Sequence, residues 1–331
     1  MKIDGKKASR IIASHRELQN AGFIHAVNVG HLDGSSSYSF ADGVLLRRAS
    51  AREIQTLQRL LKATLDQSAI FPPRNPYQTA TKTLRTNEST LTFETRKLPR
   101  REWRYHVIEF SGNNCIAHDF ADASTLTRHR IRLGSMVMRT DAGSALGWSS
   151  NDLRFLNELK DDDDAILALT LQDVADIRDV YDKLRKYDNA SINLRDAITK
   201  YQHLDLIPFG SPMRFLGYMA IVESLITHRP DPSDPYSSLT RQVRQKMLLL
   251  DRRARIEIPY GRFGKAPREQ IWNRLYEYRS TVAHGAVMKF GGKFECLKDA
   301  ETVTKFLERV VVAVMRLALD ETQLVADLKA I

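Results

Sequence analysis

The sequence predicts an α+β domain over about residues 1–160 and an all-α domain over 161–331, on three observations. Between residues 89 and 139, β-branched and aromatic residues alternate or cluster in short runs separated by turn stretches. Past residue 164, apolar residues recur at helical spacing nearly to the end. A chain of 331 residues also exceeds what one core usually organises, so two domains are expected.

The first helix is predicted over Ala51 to Leu65, AREIQTLQRLLKATL, where Ile54, Leu57, Leu60, Leu61 and Leu65 keep a helical rhythm that FPPRNPY then breaks. STLTFETRK, WRYHVIEF and RHRIRLGSMVMR read as strands, antiparallel because turn stretches such as SGNN and TDAGS separate them. The stretch RKLPRREWR beside the second strand reads as a basic edge that discourages aggregation, or as a surface for RNA. DDDD at 161–164 marks the change of character, as a solvated boundary ahead of a helix or as a divalent-cation site.

In the second domain, Thr170 and Asp173 approximate a capping box opening LQDVADIRDVYDKLRKY, and Ser191 opens a helix through Tyr201. Ser211 as N-cap and Pro212 as first helical residue start MRFLGYMAIVESLITH, which RPDPSDP stops. A basic helix spans about Ser238 to Arg255. The loop EIPYGRFGK follows, then REQIWNRLYEYRSTVAH from Pro267, and a long helix from about Asp299 to the end. GRFGK lacks the first glycine and the final Ser or Thr of a phosphate loop, with Ala266 in that last place.

Several function classes fall away on composition. The apolar run FLERVVVAVMRLAL is interrupted by Glu308, Arg309 and Arg316, too short a span for a bilayer, so no membrane association is expected. The N-terminus has no apolar segment followed by a cleavage site, which points to a cytoplasmic protein. Cys115 and Cys296 form no CxxC pair, and the nine histidines show no paired-ligand spacing, so neither disulfides, a metal nor a cofactor is expected. The net charge is +10. Between Arg241 and Arg279, eleven Lys or Arg face four acids, a surplus of seven within 39 residues that suits a phosphate-bearing partner or a solvated helix face. Arg252, Arg253, Arg255 and Arg274 are the candidates here for RNA contact. Tyr278 is a candidate for stacking a base, whereas Tyr276 and Trp272 read as packed.

Two helices each spend a stripe position on a charge. At about 100° per residue, Ile271, Trp272, Leu275, Val282 and Ala283 gather on one side of the Pro267 helix, and Arg279 falls near the centre of that stripe. On the Pro212 helix, Phe215, Leu216, Met219, Val222 and Ile226 form the stripe, and Glu223 falls inside it. A guanidinium in that place needs an anion or a cluster of acceptors. Two readings are open: a structural Glu223–Arg279 ion pair, or a polar slot where the carboxylate orients an arginine awaiting a phosphate. His284 lies about 140° from Arg279 on a continuous helix. Gly285 reads as C′, making His284 a C-cap able to leave the helical path and to serve either as a plain cap or as an acid/base.

RSTVAHG, with Arg279, four intervening residues and then His284, resembles the Arg-x(4 to 6)-His signature of the HEPN (higher eukaryote and prokaryote nucleotide-binding) superfamily. FLGYMAIVESLITH, with Glu223-Ser224-Leu225, is similar to the first core helix of its ApeA-like branch; the likeness spans about Leu167 to the end. The resemblance implies an all-α HEPN-like bundle that dimerises so that both motifs meet in one cleft. It also implies a metal-independent endoribonuclease leaving 2′,3′-cyclic phosphate ends, often a toxin or an anti-phage defence effector. His284 would be the general acid/base, Arg279 the phosphate clamp, and Glu223 and Ser280 supporting residues. Nuclease members often carry Asn, Asp or His where Ser280 stands, so the alternative is a non-catalytic RNA- or nucleotide-binding module. RNA and a second subunit are the expected partners, with residues 1–160 sensing a trigger or partner.

Overall fold

The computed structural model describes residues 21–66, 75–87, 90–111, 115–140, 143–147, 155–156, 165–188, 191–208, 210–230, 238–286 and 289–330. The acidic run at 161–164 lies outside the described residues. The chain forms two compact units that divide between Tyr181 and Asp182, inside a helix and not at residue 160. The physical reason is a strand at Leu167–Leu169 that pairs in parallel with Val29–Leu32 and so belongs to the first unit.

Strands β1 (Gly22–Ala26), β2 (Val29–Leu32), β3 (Ser37–Ala41) and β4 (Val44–Arg48) precede helix α1 (Ala51–Asp66). Then come β5 (Thr79–Asn87), β6 (Thr90–Lys97), β7 (His106–Phe110), α2 (Cys115–Thr125), β8 (Leu133–Thr140), β9 (Gly143–Gly147) and β10 (Leu167–Leu169). The main sheet has the order β3-β4-β7-β1-β8-β9, antiparallel throughout; β5 and β6 form a separate hairpin. All five residues of β1 are buried, as a central strand covered on both faces requires. On one face Phe23, Val107 and Val137 pack with Ile54, Leu57 and Leu61 of α1. Elsewhere in the unit Phe120 of α2 stacks between Phe40 and Tyr181.

Helix α1 starts on a capping box: Glu53 accepts the Ser50 backbone N–H at 2.7 Å and is gripped by both terminal nitrogens of Arg47 at 2.8 Å. Burial alone would raise the Glu53 carboxyl; the hydrogen bonds from Arg47 and Ser50 overcome it and hold the group at about 2.

The helical region comprises α3 (Leu171–Lys186), α4 (Leu194–His203), α5 (Pro212–Ile226), α6 (Leu239–Leu250), α7 (Arg268–Ala283), α8 (Ala300–Asp320) and α9 (Thr322–Ala330). An α+β N-terminal region followed by a helical one is therefore observed. Thr170 and Asp173 cap α3 reciprocally, and Ser211 caps α5 ahead of Pro212. Three boundaries differ from expectation. Helix α4 begins after Asn193, not Ser191, because the Asn193 side chain accepts the Asp196 N–H. Helix α6 stops at Leu250, where Asp251 caps it and takes a salt bridge from Arg268. The last helix breaks at Glu321, whose φ of −133° and ψ of 57° leave the helical region.

Helix α8 is the hub of this second unit, buried at most positions from Val303 to Leu319 and packed on α5. Its Phe306 gathers Tyr260, Phe263 and Trp272, and the Trp272 indole donates to the Tyr260 hydroxyl at 3.0 Å. Tyr260 and Phe263 are buried anchors of the EIPYGRFGK loop, which is thus a packing element. No helix among the described residues is long and apolar enough to cross a membrane.

Candidate active site

Helices α5 and α7 bring the two stripe charges together. Arg279 Nε meets Glu223 Oε1 at 2.8 Å, and Arg279 Nη2 donates to Oε2 at 3.1 Å, a two-toothed contact that fixes the guanidinium plane. The Tyr276 hydroxyl also donates to Glu223 Oε1, at 2.9 Å. Burial first, and then the adjacent carboxylate, push the Tyr276 phenol far above its ordinary value, so it stays a donor. The Glu223 side chain is 12 % exposed and that of Arg279 35 %. Arg279 thus has its inner edge committed while Nη1 has no partner among the described residues.

The stripe on α7 is buried at Ile271, Trp272 and Leu275 but fades beyond Arg279, where Val282 is half-buried and Ala283 exposed. Arg279 therefore sits at the margin of the core and reaches solvent.

His284 is exposed, and its imidazole makes no hydrogen bond or ion pair among the described residues. His284 is the C-cap, as expected, with φ of −87° and ψ of 7°, although its own place is still set by the helix. Its N–H still bonds the Ser280 carbonyl at 3.1 Å, and the chain departs only at Gly285, with φ of 72°. Gly285 N–H bonds the Val282 carbonyl and Ala286 N–H that of Thr281, a complete Schellman closure. The angular offset of about 140° between Arg279 and His284 therefore persists within one subunit.

Of the RNA-contact candidates, Arg252 is exposed and without a partner among the described residues. Arg253 pairs with Glu321 at 2.7 Å and Arg255 with Asp320 at 3.4 Å, while Asp320 also holds Lys183 and Arg316. Arg274 donates to Glu277 at 2.6 Å. Tyr278 is corrected outright: it is 2 % exposed and packed between Phe215 and Phe290, so it cannot stack a base. Trp272 and Tyr276 are buried as expected. Ser280 is exposed.

Sequence reasoning missed two features. One is Tyr276 as the third member of the Glu223 cluster; its place three residues before Arg279 puts both on one helix side, but the carboxylate they share lies on α5. The other is a cleft of about 570 Å³ along the outer face of α7, walled by Thr240 at the start of α6 and by Asn273, Tyr276, Glu277 and Ser280. Comparisons with family models, with curated proteins and with solved structures find no match for this chain.

Proposed function

We propose that this protein is a metal-independent endoribonuclease of HEPN type that works as a homodimer in the cytoplasm, as a defence effector or toxin. The observation that carries the reading is the Glu223 grip on Arg279. It orients the guanidinium and leaves Nη1 for a phosphate, on a helix that ends five residues later in an exposed His284. In the proposed reaction His284 takes the proton of an RNA 2′-hydroxyl. The 2′-oxygen bonds to the adjacent phosphorus, the P–O5′ bond breaks, and the departing 5′-oxygen takes up a proton. The products are a 2′,3′-cyclic phosphate and a 5′-hydroxyl, with Arg279 countering the charge added to the phosphoryl oxygens. Because His284, whose N–H still bonds the Ser280 carbonyl, is offset by about 140° from Arg279, the two that serve one phosphate come from different subunits.

The test is RNA cleavage in EDTA by the full chain, with Arg279→Ala and His284→Ala each abolishing it. Mixing the two inactive variants regains part of the activity, because mixed dimers rebuild one composite site. Cleavage that persists in His284→Ala overturns the mechanism. A monomer at micromolar concentration overturns the shared site.

A further inference from the structure

The cleft on α7 has an angular position that ties it to His284. Setting Arg279 at zero and advancing about 100° per residue, Tyr276 falls near 60°, Ser280 near 100°, Asn273 near 120°, Glu277 near 160° and Gln270 near 180°. His284 falls near 140°, in the middle of this set. The face that lines the cleft therefore leads along the helix to His284, whereas Arg279 looks toward Glu223. At about 1.5 Å per residue, Asn273 lies about 16 Å and Ser280 about 6 Å from His284 along the axis.

The lining chemistry suits bases better than a phosphate backbone. Gln270 is exposed, and its amide has no partner among the described residues. Asn273 accepts from Arg244 at 3.3 Å, which leaves its amide nitrogen to donate. Glu269 adds a carboxylate with no partner among the described residues, which repels phosphates but accepts hydrogen bonds from exocyclic amines. Arg274, which also lines the cleft, is paired through Nη1 with Glu277 at 2.6 Å, and Lys293 takes the other Glu277 oxygen at 2.9 Å. Asparagine and glutamine amides pair with adenine edges, and carboxylates accept from the cytosine amine. Tyr276 lines the cleft while its hydroxyl stays on Glu223, so the cleft and the Arg279 cluster share a residue.

We propose that this cleft binds unpaired RNA bases a few nucleotides from the scissile phosphate and selects adenine or cytosine through Gln270, Asn273 and Glu269, an inference that rests on the endoribonuclease reading. Gln270 and Asn273 are specificity residues, touching the base edge and not the reacting atoms.

The experiment uses the full chain carrying His284→Ala, so that bound RNA stays intact, with a random pool of single-stranded RNA hexamers whose bound fraction is sequenced. Adenine or cytosine should be enriched about five- to a hundredfold at one or two positions, the discrimination expected of paired amide contacts. Adding Gln270→Ala or Asn273→Ala should reduce that enrichment below about twofold. Thermal melts establish that both variants are folded, and Gln270→Ala, at an exposed position, keeps the test decisive if Asn273→Ala is unstable. RNA bound without base preference, or a preference that survives both substitutions, overturns the cleft assignment and leaves the nuclease reading standing if the wild-type chain cleaves. Loss of preference in the variants together with no wild-type cleavage supports the cleft and sinks the nuclease reading. Binding of a peptide but of no RNA overturns both.

Discussion

Replacing Arg279 by alanine removes both guanidinium contacts to Glu223, at 2.8 and 3.1 Å, and leaves that carboxylate with the Tyr276 hydroxyl alone. Breaking a fully buried pair by deleting one partner costs about 3–5 kcal/mol, because a charge is left without compensation. Here the Arg279 side chain is 35 % exposed, so water replaces part of what is lost. The expected destabilisation of the second unit is accordingly about 2 kcal/mol. Glu223→Gln should cost a similar amount, since it leaves Arg279 without its counter-charge. The double variant should lose less than the sum, with a coupling of about 1–2 kcal/mol. The assay is urea unfolding of full-length protein in which Trp103 and Trp148 are changed to Phe, so that buried Trp272 of α7 reports the second unit alone. Additive losses, with coupling below about 0.3 kcal/mol, would refute the claim that Glu223 holds Arg279.

Other outcomes follow from single features. The His106 imidazole is 5 % exposed; burial first, against hydrogen bonds to the Val29 and Arg104 carbonyls, lowers it from 6.5 to about 4. The unfolded chain then binds more protons between those values, so stability is complete above 6.5 and falls by about 3 kcal/mol as pH drops to 4. Urea unfolding of the first unit should show this slope in the wild-type chain but not in His106→Gln; equal slopes in both would show the assignment to be wrong. Gly285→Ala should cost about 1 kcal/mol in a thermal melt, purely through the backbone, since φ is 72° and an added Cβ meets nothing within 4 Å. Gly217→Ala should cost about 1–3 kcal/mol for the opposite reason, because its Cβ would run into the side chain of Leu204. No loss at 285, or a loss below about 0.5 kcal/mol at 217, would contradict the account given for that position.

The helical half was read well where the signal is local. Thr170 with Asp173, Ser211 with Pro212, and Asp299 each satisfy the first N–H groups of the helix they open, a matter of neighbours within three residues. The glycine that closes α7 is of the same kind. The N-terminal half was less legible. GFIHA in β1 is buried at all five residues, so it shows no alternation, and its partners β7 and β8 come from more than eighty residues away. Strand β10 belongs to the first unit only because it meets β2, which no periodicity near residue 167 announces.

The site divides in the same way. By itself the sequence determined that Glu223 and Arg279 occupy apolar stripes and that Gly285 ends the helix, because stripe position and φ are properties of one helix and its local chain. Only the tertiary structure decided that Tyr276 joins the carboxylate, that Arg253 and Arg255 are engaged by Glu321 and Asp320, and that Tyr278 lies in the core. Each of these is a contact between elements distant in sequence, set by how α5, α7 and α8 pack. Helical spacing says which way a side chain points and nothing of what it meets.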